Sequence, residues 1–150
     1  MKKLDNFSNS LKVLKTVDYD LVRDNDIYRA GVVHQFGLTF DLSWKALQSM
    51  LREHGVVEAQ TGSPRELLKL GYKHGFIDNE KAWLNMLDMR NAITHEYNED
   101  KVNDLIPRIK EKYISVFSEL EKTLTEKLKE IDDVHNDEEL DLTMQKNRGL

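Results

Sequence analysis

Between residues 33 and 51 one stripe recurs at three- and four-residue steps: Val33, Gly37, Phe40, Trp44, Leu47 and Leu51, with Phe36 and Leu38 beside it. That spacing is the period of one face of an α-helix. The same period returns almost everywhere else in the chain. No segment alternates apolar and polar residues long enough to make a strand, so the chain reads as all-α.

Leu4, Phe7, Leu11 and Leu14 predict a first helix over residues 2–17, ending near Asp18. The polar stretch DYDLVRDND separates it from the long second helix, which Gly55 closes as a C′ residue. Ser63, Pro64 and Glu66 together spell a helix start, with cap, first-turn proline and capping-box acid in order. That third, short helix runs to about His74, before Gly75. A fourth begins near Asp78 or Asn79 and carries Trp83, Met86, Leu87 and Ile93. The fifth starts near Lys101, with Val102, Leu105, Ile109, Ile114, Phe117, Leu120, Leu124 and Leu128 as its apolar side. Pro107 falls early in it and kinks it or shifts its start. An antiparallel up-and-down four-helix bundle, with one short helix in a connection, accommodates this pattern. The bundle is expected over residues 1–130. The acidic segment 131–150 lacks periodic apolar content and is expected to fray into a flexible tail.

Composition narrows the function classes. The 150 residues contain no cysteine, which excludes disulfides, thiolate catalysis and cysteine-based metal sites. No stretch approaches the roughly 20 apolar residues of a membrane span, so a soluble, cytoplasmic protein is expected. The net charge of −5, from 27 acidic and 22 basic side chains, disfavours broad non-specific nucleic-acid binding. Any RNA contact must be local.

The segment RNAITHEY, Arg90 to Tyr97, concentrates the chemistry. On a helix, Arg90, Thr94 and Tyr97 fall on one narrow stripe, while Asn91 and His95 share the neighbouring face. Arg90 also continues the stripe of Trp83 and Leu87. A guanidinium on an apolar seam needs a partner, a core carboxylate such as Asp41. A fixed guanidinium, an imidazole and a phenol together suit a phosphate- or nucleotide-handling site. Taken singly, the same residues also fit a structural ion pair, a core tyrosine and an ordinary histidine.

Competing motifs fall away. Gly62–Ser63 lacks the following Asp-x-Asp of a nucleotidyltransferase, His95–Glu96 lacks the second histidine of HExxH, and no Walker or Rossmann glycine pattern occurs. His34, His54, His74 and His135 share no ligand spacing and read as ordinary surface or helix-end residues. Arg65, Lys69 and Lys73 line one side of the third helix and could guide RNA or dock an acidic partner surface if that side lies near Arg90; a solvated helix face is the favoured reading. Gly31 and Gly37 would let another helix approach the long second helix closely.

RNAITHEY resembles the Arg, four residues, His, x, Tyr signature of a HEPN subgroup. FGLTFDLSWKALQSML and GSPRELLKLGYKHGFIDNEKAWLNML resemble helices of the nucleotidyltransferase substrate-binding family within that superfamily, in the same order over roughly residues 4–130. Asp41 stands where relatives often carry glutamate, and Gly37 where an acidic residue is commoner. The resemblance implies a HEPN-like bundle that forms a homodimer and pairs with a separate, minimal (MNT-type) nucleotidyltransferase. In the HepT-like toxin branch such a chain is a metal-independent endoribonuclease needing no cofactor. Carried onto this sequence, Arg90 would hold the scissile phosphate, His95 would be general base or acid, and Asn91 would orient substrate or His95. Asp41 and Thr94 would support them. Tyr97 would be AMPylated by the partner to silence the toxin. The older reading of the family makes the chain a non-catalytic substrate- or nucleotide-binding subunit of a two-chain nucleotidyltransferase, and a structural dimer without activity is a third possibility.

Overall fold

A computed structural model describes residues 1–96 and 98–148 of the chain. The described residues form helices and no strand: α1 (Lys2–Leu14), α2 (Tyr19–Asp24), α3 (Asp26–Glu53), α4 (Pro64–Lys73), α5 (Glu80–His95), α6 (Glu99–Arg108) and α7 (Ile114–Arg148). A 3₁₀ turn at Val57–Gln60 follows α3, and a π-helical turn at Ile109–Tyr113 joins α6 to α7.

The stripe on α3 makes this 28-residue helix the spine of the molecule, and each of the other α-helices packs against it. Its buried face includes Phe36, Phe40, Leu47 and Leu51. A connected aromatic cluster ties the remaining elements to that face. Phe117 of α7 meets Phe7 of α1 at 6.1 Å, Phe36 of α3 at 6.1 Å and Trp83 of α5 at 5.7 Å between ring centroids. Tyr113 of the π turn stacks on Phe36 at 5.7 Å. Such rings combine large buried area with favourable edge and offset geometry. A polar clasp joins α1 to α3, where the buried Ser10 and Thr39 hydroxyls lie 2.7 Å apart and Gln35 Nε2 donates to Ser10 Oγ at 2.9 Å.

Capping chemistry fixes where the helices start. Ser63 Oγ accepts from the Glu66 amide at 3.2 Å with Pro64 in the first turn, and Asn79 accepts from the Ala82 amide at 3.0 Å. After α3 the chain reverses at Gly55, whose φ of 80° suits glycine, and the Val56 amide closes back on the Leu51 carbonyl at 3.0 Å.

Three segments differ from the sequence-based expectation. The polar stretch DYDLVRDND contains α2, because Asp18 caps it at the Asp20 and Leu21 amides and Asn25 immediately caps α3 at the Tyr28 amide. Two caps in close succession allow a helix in a segment that its polarity alone argues against. The fifth helix is divided into α6, the π turn and α7. Pro107 has no amide hydrogen to donate within α6, and the π turn begins two residues later. Beyond Ile131, where fraying is expected, the backbone remains helical to Arg148 while the side chains of residues 132–147 are exposed.

Candidate functional site

Along α5 the stripe Trp83, Leu87, Arg90, Thr94 climbs from core to surface. Trp83 and Leu87 are buried, the Arg90 side chain keeps 28% of its surface, and Thr94 is exposed. The expected partner of Arg90 is in place. Arg90 Nε donates to Asp41 Oδ1 at 3.0 Å and Nη2 to Asp41 Oδ2 at 2.7 Å, a two-bond fork between α5 and α3. The pair fixes the guanidinium plane. Among the described residues its remaining N–H groups meet no other acceptor. Thr94 Oγ1 donates to the Arg90 carbonyl at 2.8 Å, one turn back along α5.

The ion pair bounds a groove of about 410 Å³ between α3 and the last turns of α5. Ala30, Val33, Gly37, Leu38 and Ile93 give it an apolar lining, and Arg90, Asp41, Thr94 and His34 supply the polar groups. A few polar groups in a mostly apolar concavity is the usual make-up of a small-ligand site.

The structure therefore brings Arg90, Asp41 and Thr94 together. Asn91 and His95 are exposed on α5 and do not line the groove; His95 is the last residue of the helix. Tyr97 lies outside the described residues. His34, read from sequence as an ordinary surface histidine, belongs to the groove. The signal was available, since His34 stands seven residues before Asp41 and so shares its face of α3.

The basic side of α4 is not part of this site. Arg65 Nη2 is bound to Asp88 Oδ1 at 2.7 Å, and Asp88 lies about 200° around α5 from Arg90. Lys69 and Lys73 are exposed on α4. Among the described residues no group of three or more His, Asp or Glu side chains is arranged to hold a metal ion. No described helix is long and apolar enough to cross a membrane.

Comparison with known proteins bears on what this groove serves. The family model described as nucleotidyltransferase substrate binding protein like matches residues 2–126. The probable ribonuclease HepT of Haemophilus influenzae is 26% identical over 78 residues, covering 51% of this chain. The aligned part spans only about half of that curated relative, 53% of its length. Among solved structures, the crystal structure of ttk003001694 from Thermus thermophilus has 27% identity and a TM-score of 0.66, covering 79% of this chain and 98% of that one.

Proposed function

The chain belongs to the nucleotidyltransferase substrate binding protein like family, and on that premise we propose that it is a metal-independent endoribonuclease controlled by a separate nucleotidyltransferase. The observation that carries the reading is the Arg90–Asp41 fork, which holds a guanidinium in the lining of a groove with its other donors unpaired among the described residues. Such a group suits a phosphodiester oxygen. The probable ribonuclease named among the relatives supports the same chemistry.

In this reading RNA lies across the end of α5 with one phosphate against Arg90. The neighbouring ribose 2′-oxygen attacks phosphorus, its proton passes to a base, the bond to the 5′-oxygen breaks and that oxygen takes up a proton. His95 is the base or acid in these transfers, Asn91 orients it or the substrate, and Asp41 keeps Arg90 in plane. The reaction balances without a metal ion.

His95 sits outside the groove on the exposed end of its helix. A second copy of the chain could complete the site by setting its own RNAITHEY segment opposite the first. The start of α3, outside the groove lining, suits such an approach: Ile27 is 86% exposed and a Cβ at Gly31 would meet nothing within 4 Å. We therefore take the working form to be a cytoplasmic homodimer of HEPN-type four-helix bundles, with α1, α3, α5 and α7 as the main helices. AMP transferred to Tyr97 by the partner enzyme would add a bulky anion to the RNAITHEY segment that also carries Arg90 and His95, and silence cleavage.

The position of His95 also favours a second reading, in which the groove holds a nucleotide for the partner transferase and cuts nothing. Two experiments separate the readings. Purified chain should cleave RNA in EDTA; binding of nucleotide without cleavage supports the binding subunit. Incubation with the partner nucleotidyltransferase and ATP should add AMP to the wild type and none to Tyr97→Phe; an unmodified wild type removes the silencing step.

A further inference from the structure

We propose that the α3–α5 groove is a nucleobase subsite, with Gly37 as its floor, Leu38 and Ile93 as its apolar walls, and His34 as the residue that reads the base. The inference rests on the reading that Arg90 holds a phosphate.

Gly37 carries the argument. It lies in the middle of a 28-residue helix, where glycine is the least favourable residue short of proline. Packing does not require it: a Cβ there would meet nothing within 4 Å, in contrast to Gly71, where a Cβ would stand 2.8 Å from Leu47 Cδ2. What Gly37 provides is open space in the groove wall. A side chain placed at this position would start from open space in a lining that Gly37 shares with Leu38 and Ile93.

The dimensions fit a nucleotide. Gly37 and Asp41 are one helical turn apart, about 6 Å along α3, and Arg90 is locked onto Asp41. A phosphate on the free donors of Arg90 would put its ribose over that turn and its base against Gly37. The groove volume of about 410 Å³ can take a planar ring. His34 lines the far end, three residues before Gly37 on the same face. From there its imidazole can stack on a ring or exchange a hydrogen bond with its edge. The charged groups of the groove, Arg90 and Asp41, are paired with each other at one end, and the remaining lining is apolar apart from His34 and Thr94.

Titration calorimetry with AMP and ribose 5-phosphate, which differ by the base, tests this. The wild type should bind AMP at least about tenfold more tightly. Gly37→Leu should bring AMP down to the ribose 5-phosphate level with the latter unchanged, and Gly37→Ala should fall between. His34→Ala should alter the AMP to UMP affinity ratio. Circular dichroism and mass measured on the same samples verify fold and assembly. A folded Gly37→Leu that binds AMP like the wild type overturns the proposal. So does one that loses both ligands equally while changing mass, since the groove would then be a seam between copies. Equal wild-type affinity for the two ligands overturns it as well, and RNA cleavage by that protein would leave the ribonuclease reading standing. A Gly37-dependent AMP preference in a protein that cuts no RNA upholds the subsite and removes the ribonuclease.

Discussion

Arg90 and Asp41, 49 positions apart in sequence, meet edge to edge through two hydrogen bonds of 3.0 and 2.7 Å, and each side chain keeps little more than a quarter of its surface. The fork is at once a clamp between α5 and α3 and the feature that orients the candidate site. Removing one partner strands the other in a partly desolvated place, so Asp41→Ala should lower stability by about 1–3 kcal/mol. Asp41→Glu should retain most of it, and Arg90→Lys, which cannot form the fork, should fall between. Urea unfolding midpoints rank the three; a neutral Asp41→Ala contradicts the structural half of the account.

The same substitution should have opposite signs at two glycines. Gly71→Ala drives a Cβ to 2.8 and 3.2 Å from the two methyl carbons of Leu47, a fully buried side chain. A cost of about 1–3 kcal/mol is expected. Gly37→Ala meets no atom within 4 Å and should stabilise the helix by up to about 1 kcal/mol. Thermal unfolding of the two variants checks the sign of each.

Tyr19 predicts an alkaline effect. Its hydroxyl is buried with no hydrogen-bond partner among the described residues, and burial first, then the nearby Tyr28, push the phenol above its ordinary value. The fold thus retains a proton that the unfolded chain releases above about pH 10. The contribution is complete below that pH and is lost as pH rises through the folded value. Tyr19→Phe should flatten the fall in stability above about pH 10. At neutral pH it should be neutral or stabilising by up to about 1 kcal/mol, since it removes an unpaired buried hydroxyl. Denaturant titrations at neutral pH and above the phenol's ordinary range separate the two effects.

Much of the fold was legible because it rests on periodicity and caps. The α3 stripe, the Ser63–Pro64 start and the Gly55 stop are local signals, and each lies within a turn or two of what it controls. The Arg90–Asp41 pair was legible for another reason: a charge on an apolar stripe needs a counter-charge, and few carboxylates lie on a buried helix. What was hidden depends on more than one element. Helix α2 needs Asp18 and Asn25 as consecutive caps in a polar stretch. The π turn needs Pro107 together with Phe36 and the core that Tyr113 joins. That His34 shares the face of Asp41 could be read from their seven-residue spacing, but that α5 crosses this face to form a groove could not. The open space at Gly37 is likewise a property of two helices.

The helical extension beyond Ile131 should be dispensable to the fold. Its side chains over residues 132–147 are exposed, and the family match ends at residue 126. A chain ending at Ile131 should keep its unfolding free energy within about 0.5 kcal/mol while losing helical ellipticity in proportion to the residues removed. A larger loss of stability would show that the segment is covered by something, and that the boundary near residue 130 is misplaced.

The central claim, that this groove and the RNAITHEY segment cleave RNA without a metal, is tested most directly by one assay. Purified wild type, Arg90→Ala and His95→Ala chains, matched for fold by circular dichroism, are incubated with a defined single-stranded RNA in excess EDTA. The account predicts that the wild type cuts, leaving a cyclic phosphate end, and that His95→Ala slows cleavage by about a hundredfold or more, with Arg90→Ala at least as impaired. Equal cleavage by wild type and His95→Ala, or cleavage by none of the three, contradicts it.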